Sequence, residues 1–197
     1  KLTEKYTSPE YLLHLSNMYG KMKRTSDQLA ILSLLYENGA LEKPNDLETL
    51  IYLSIEENNL YSAGKILQQK INKFTAWENS DKYNLLSQVW LAAHETDYAR
   101  EALENAARLS PKGDYYLELA RFYASEKNWS ACTKSAKKAI TKGLSSVALD
   151  EANLIIGHSL FKGNDLNGAR KHFLEISSET TFFDQAQNWI QYINTID

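Results

Sequence analysis

A self-similar segment returns along this chain at intervals of 33 to 37 residues, and that recurrence limits the possible folds more than any other feature. The clearest copy reads Tyr115-Tyr116-Leu117-Glu118-Leu119-Ala120-Arg121-Phe122-Tyr123, then a polar Glu126-Lys127-Asn128-Trp129, then Cys132, Ala136 and Ala139. Apolar positions three and four apart on both sides of a short polar stretch describe a helix, a turn and a second helix. The next copy runs Ile156-Gly157, Leu160-Phe161, Gly163-Asn164-Asp165-Leu166, then Ala169, Phe173 and Ile176. The copy before has Tyr83, Leu86 and Trp90, the turn His94-Glu95-Thr96-Asp97, then Ala99, Leu103, Ala106 and Pro111. A small residue recurs on the second helix as Ala63, Ala99, Cys132 and Ala169, at intervals of 36, 33 and 37. Helices pack about 8–10 Å apart, so a bulky side chain at their crossing would push them apart. One such pair cannot bury both of its faces, and stability has to come from stacking its neighbours.

These units resemble the tetratricopeptide repeat. That family places a large residue and a Leu-Gly-like pair on the first helix, small and large residues on the second, and Pro at the end. Here the large residue is Tyr83 or Tyr116, and the pair is Leu86-Ser87, Leu119-Ala120 or Ile156-Gly157. The resemblance implies an all-α, right-handed superhelical solenoid of about five helix pairs with a C-terminal capping helix, forming one domain over 1–197. Clear repeats are expected at 80–112, 113–146 and 150–178, and degenerate ones at 8–40 and 45–75. In the second, Leu50-Ile51 precede a turn at Glu57-Asn58-Asn59-Leu60, with Asn45 as helix cap and Glu48 three residues on. In the first, Ser8-Pro9 starts a helix carrying Leu15 and Tyr19. Ala30 takes the small position there if the turn is about two residues longer. A helix over 181–195, with Phe183, Ala186, Ile190 and Ile193 on one face and Trp189 beside it, caps the array.

Composition agrees with helix. The 197 residues include only 3 Pro and 8 Gly, and alternating runs of Val, Ile and Thr are absent. With 22 basic and 25 acidic side chains the net charge is −3, which speaks against a nucleic-acid partner. Lys134, Lys137, Lys138 and Lys142 share one helical face, read as a solvated outer surface with a nucleic-acid or anionic-surface patch as the alternative. The single Cys132 excludes an internal disulfide and is expected to be a buried thiol. The histidines at 14, 94, 158 and 172 lack metal-ligand spacing, and no phosphate loop, Gly-x-Ser-x-Gly elbow or Cys/His signature is present. No enzyme, cofactor or metal is therefore expected. Asn128-Trp129-Ser130 matches a glycosylation sequon, but Asn128 is read as a helix cap. No stretch approaches 18 apolar residues, so nothing is expected to span a membrane. The chain begins at Lys1 without Met, which suggests a removed N-terminal segment, and an exposed seam at the degenerate first repeat would signal missing repeats or self-association.

In the family it resembles, the first helices line a concave groove that takes peptides. Carrying that register over places Asn17, Tyr52, Gln88, Arg121 and His158 at its centre, flanked by Lys21, Glu56, Asn84, Phe161 and Lys162. Tyr52 and Glu56 interrupt the row of Lys, Arg and Asn that the family uses to clamp a terminal carboxylate, so that mode is not expected. Over its whole length, with Ser8-Pro9-Glu10-Tyr11 and Trp189-Ile190-Gln191-Tyr192-Ile193, the chain is similar to tetratricopeptide components of TonB energy-transduction systems in marine gamma-proteobacteria. That likeness implies a non-catalytic protein-interaction scaffold in the periplasm, with the cytoplasm as the alternative. The rival is a ligand-binding or cell-wall-associated protein holding a sugar or peptide with Tyr52, Trp90 and Arg121.

Overall fold

The computed structural model describes residues 8–196, so the two ends of the expected 1–197 domain, residues 1–7 and 197, lie outside it. Eleven α-helices occupy the described residues, with one short 3-10 turn at Thr75–Trp77. Ten form successive pairs: α1 (Pro9–Lys21) with α2 (Thr25–Glu37), α3 (Pro44–Glu56) with α4 (Leu60–Lys73), and α5 (Ser80–Ala92) with α6 (Thr96–Leu109). Then come α7 (Asp114–Ser125) with α8 (Trp129–Lys142), α9 (Ser146–Lys162) with α10 (Leu166–Leu174), and the single α11 (Phe183–Ile196).

One backbone device makes every turn within a pair. Lys23, Asn58, His94, Lys127 and Asn164 all have left-handed φ, between 56° and 64°. In each, the amide of that residue bonds back three residues and the next amide bonds back five, as Asn164 N to Phe161 O and Asp165 N to Leu160 O. This double closure satisfies the last carbonyls of the first helix and turns the chain sharply. The first helix ends two residues before the left-handed residue, and the second starts two residues after it. That register corrects the expectation for the first pair, whose turn is no longer than the others. The position of Ala63, Ala99, Cys132 and Ala169, five residues past the turn, falls there on Gln28 and not on Ala30. Gln28 lies against Gly20, where a Cβ would come within 2.8 Å of its amide, so the room comes from the facing helix.

The chain forms two compact units, one of residues 8–78 with Leu85–Ala99, the other of Asn79–Asn84 with residues 100–196. In the first unit, Ser8 caps α1 by accepting from Tyr11 N at 3.3 Å, with Pro9 leading the helix. The cap expected at Asn45 is displaced: Lys43 is the flanking residue and Pro44 the first helical one, because the fixed φ of proline suits that position. Leu32, Leu35, Leu50, Ile51, Leu67 and Ile71 fill the core. Neighbouring pairs are tied laterally where Thr25 and Ser26 donate to the Glu57 carboxylate at 2.7 and 3.0 Å, and where Tyr36 donates to Gln69. The Lys70 side chain is wholly buried. Its Nζ donates to Pro44 O at 2.5 Å, lies 3.3 Å from the Trp77 ring centroid and stands 3.9 Å from Glu48.

In the second unit the small residues sit where helices cross. Ala120, Cys132, Ala136 and Ile156 form one cluster, and Leu117, Ala139 and Ala152 another. Cys132 is buried, with Sγ accepting from Ser159 Oγ at 3.1 Å, and burial pushes its thiol pKa up. Lateral bonds again span about one repeat. Tyr115 donates to Asp81 across 34 residues, Arg121 to Glu151 across 30, and Lys142 Nζ to Ala107 O across 35. Ala169, Phe173 and Ile176 pack with Ala186 and Ile193 of α11, and the Trp189 ring stacks parallel to Phe173 at 6.1 Å. Asp184, Gln185, Asn188 and Gln191 on the other side of α11 are exposed, as a terminal helix requires.

Candidate partner-binding surface

Asn17, Tyr52, Gln88, Arg121 and His158 each lie six residues before the left-handed turn residue of their pair. Each also follows directly on a buried residue: Ser16, Ile51, Ser87, Ala120 or Gly157. The burial of that residue anchors the helix, so the next one projects beside the packed seam. In the first unit Asn17, Tyr52 and Gln88 are exposed, as are the flanking Lys21 and Glu56. Trp90, assigned to a ligand in the rival reading, is in the core at 4% exposure. Its ring meets Tyr61 at 5.6 Å and Tyr98 at 5.1 Å, and it fills the space left by Gly64, so no ligand reaches it.

The second unit carries more chemistry. Arg121 is held by a two-pronged pair, with Nε and Nη2 each 2.7 Å from a Glu151 carboxylate oxygen. The hydrogen bond to Glu151 holds the guanidinium pKa above its ordinary value. Arg121 is thus a fixed element of the surface, engaged at its head with half its side chain exposed. Beside it, burial raises the Glu118 carboxyl pKa, against the opposing pull of Arg121. Asn84 is half-buried and Lys162 exposed.

His158 stands in an aromatic cluster that sequence reasoning did not assemble. Its ring meets Trp129 edge-on at 5.6 Å and Trp189 at 5.4 Å. Phe161 tilts against Trp189 at 4.9 Å and Tyr192 at 5.8 Å, and the Lys162 ammonium lies 6.0 Å from the Phe161 ring. Burial, then the nearby Lys162 charge, lowers the His158 pKa and favours its neutral form. Trp129, Phe161 and Trp189 are half-buried, and Tyr192 is 51% exposed. Phe161 and Tyr192 each lie three residues from a member of the cluster, a helical spacing that marks a shared face.

Asn128 caps α8 by accepting from Ala131 N at 3.2 Å. Among the described residues, no group of three or more His, Cys, Asp or Glu side chains is arranged to hold a metal ion. No helix among them is long and apolar enough to cross a membrane.

No protein-family model matches the sequence, and no curated protein is significantly similar to it. Solved structures do share the fold. The C-terminal part of a TPR repeat-containing protein from Cytophaga hutchinsonii superposes with a TM-score of 0.61 at 12% identity, covering 92% of this chain and 70% of that one. YrrB, described as a TPR protein with an unusual peptide-binding site, gives 0.58 at 11% identity, covering 95% of both chains. The MamA protein gives 0.55 at 17% identity, covering 85% of this chain and 89% of its own. At these identities the likeness concerns the fold, and the fold is an all-α array of tetratricopeptide-type helix pairs.

Proposed function

We propose that this chain is a non-catalytic scaffold that holds a segment of a partner protein against its first helices. The observation that carries this reading is the His158 cluster, where half-exposed aromatic rings at varied angles lie beside the Lys162 ammonium. Aromatic anchors beside a charge that stays wet are the usual makings of a binding hot spot. Arg121 and Glu151 would set the polar edge of the same surface, and Tyr52 with Asn17 and Gln88 would serve equivalent positions in the other unit. The peptide-binding site named for YrrB is consistent with such a use of the fold. The finer reading is an accessory part of a TonB-type energy-transduction system in the periplasm, and the sequence resemblance supports it.

The test compares native chain with a Tyr192→Ala, Lys162→Ala variant as bait for source-cell protein, with captured species identified by mass spectrometry. Both side chains are exposed, so the variant should keep its helical circular dichroism. One protein held by the native chain and lost by the variant is the expected result. If that protein belongs to a TonB-type assembly, the finer reading stands as well. An unchanged captured set would place binding elsewhere.

A further inference from the structure

The four lysines expected on a plain solvated face instead line a depression of about 870 Å³ that runs along α8. Tyr116 stands at one end, and Trp129 with Asp165 at the other. Such a volume lies within the usual range for ligand sites. Lys142 is committed to structure: its Nζ donates to Ala107 O, Arg108 O and Ser110 O, closing the end of α6. Lys138 is steadied over the Tyr116 ring at 5.2 Å. Lys134 and Lys137 are exposed and have no ion-pair partner among the described residues. Asp165, the one acidic lining group among the described residues, accepts from Gly168 N at 2.8 Å and is thereby turned to capping α10. The trough is therefore strongly cationic in a chain whose net charge is −3.

We propose that this trough is a second binding site, adjoining the His158 cluster at Trp129, and that it takes an extended acidic segment of a partner protein. The spacing supports that occupant. Lys134 and Lys138 lie one helical step of four residues apart, about 6 Å along the axis. Alternate residues of an extended chain point the same way about 6.6 Å apart. A segment with Asp or Glu at every second position therefore presents carboxylates at nearly the pitch of these ammonium groups. Lys137 meets a third from the adjoining row, and Tyr116 and Trp129 give the intervening side chains aromatic walls. A nucleic acid fits less well. Its affinity rests on neutralising many phosphates, and this site offers three available ammonium groups on an acidic chain.

The test uses the full chain and fluorescent octapeptides, one alternating Glu with Ala, one with four Glu followed by four Ala, and one alternating Gln with Ala. Binding is read by anisotropy at low salt and at about 0.15 M, where surface charges are screened beyond roughly 8 Å. The alternating Glu peptide should bind, weaken as salt rises, and lose roughly tenfold or more in affinity in a Lys134→Gln, Lys137→Gln variant. A Lys43→Gln control, at an exposed lysine outside both surfaces, should leave it unchanged, and circular dichroism should show both variants folded. Equal binding of the blocked peptide would overturn the spacing argument. Absence of binding, or binding indifferent to the two lysines, would overturn the site. Tighter binding of an oligouridylate that the same variant abolishes would assign the trough to nucleic acid and overturn the peptide.

Discussion

Replacing Gly157 by Ala tests whether the fifth helix pair is held by contact packing, because two opposing effects of known size meet there. Alanine favours a helix interior over glycine by about 1 kcal/mol. The new Cβ, however, would stand 2.5 Å from Phe173 Cε1 and 2.7 Å from Cδ1. Ordinary carbon contacts begin near 3.5 Å, so the ring would have to retreat by about 1 Å. Phe173 is fully buried and stacked on Trp189, so it has nowhere to go without moving α11. Overpacking of this kind costs about 1–3 kcal/mol, which leaves a net loss of about 1 kcal/mol. Gly163→Ala is the reference. Its nearest neighbour would be Leu160 O at 3.4 Å and its φ is an ordinary −84°, so it should gain about 0.4–1 kcal/mol. Urea unfolding, followed by far-ultraviolet circular dichroism and by tryptophan fluorescence, measures both. Adding Phe173→Leu to Gly157→Ala should cost less than the sum of the single changes, since the smaller side chain yields the space. If Gly157→Ala stabilises as much as Gly163→Ala, the ring relaxes freely, and close packing of Gly157 on Phe173 does not explain that glycine.

Three further perturbations probe other parts of the framework. Lys70→Ala removes a buried stem and a charged hydrogen bond to Pro44, and should cost about 2–4 kcal/mol. Lys70→Met keeps the stem and sheds the buried charge, so it should cost less than half as much; equal losses in urea melts would assign the stability to the ammonium. His94→Gly and Lys127→Gly relieve a side chain from left-handed backbone and should each stabilise by about 0.5–1 kcal/mol in thermal melts, whereas Asn58→Gly should do less. Burial lowers the pKa of both His158 and His172, with Lys162 and Lys137 adding to it. The folded chain then binds fewer protons than the unfolded one just below the ordinary histidine pKa of about 6.5. Stability should fall as pH drops through that range, and the double variant His158→Gln, His172→Gln should flatten the fall.

The parts of this fold that were legible in sequence are those governed by one position at a time. Small residues at Ala63, Ala99, Cys132 and Ala169 mark helix crossings, and Ser8 with Pro9 marks a helix start; each depends on local size or local backbone. Where room is shared between two helices, the same rule misleads. Gln28 stands at a small position because Gly20 yields the space, whereas residue size alone points to Ala30. The turns show a related limit. Asn58 and Asn164 suit left-handed backbone, but Lys23, His94 and Lys127 adopt it because the double closure of the preceding helix demands it. Residue type was the weaker force there.

The surface was harder to read because Arg121 and His158 each act with a neighbour about one repeat away. Arg121 has the expected register, yet its head is engaged by Glu151, 30 residues on, and His158 meets Trp189, 31 residues on. Both separations fall just short of the repeat interval. In both, a side chain on a first helix meets the helix one repeat further on, offset by about one turn. This offset could have been applied to the sequence alone. Had Arg121 been paired with acidic residues about thirty positions ahead, Glu151 would have stood out, and the basic row would have been read as partly neutralised. In a stacked array the lateral neighbour carries as much information as the helical one, and the repeat interval supplies it.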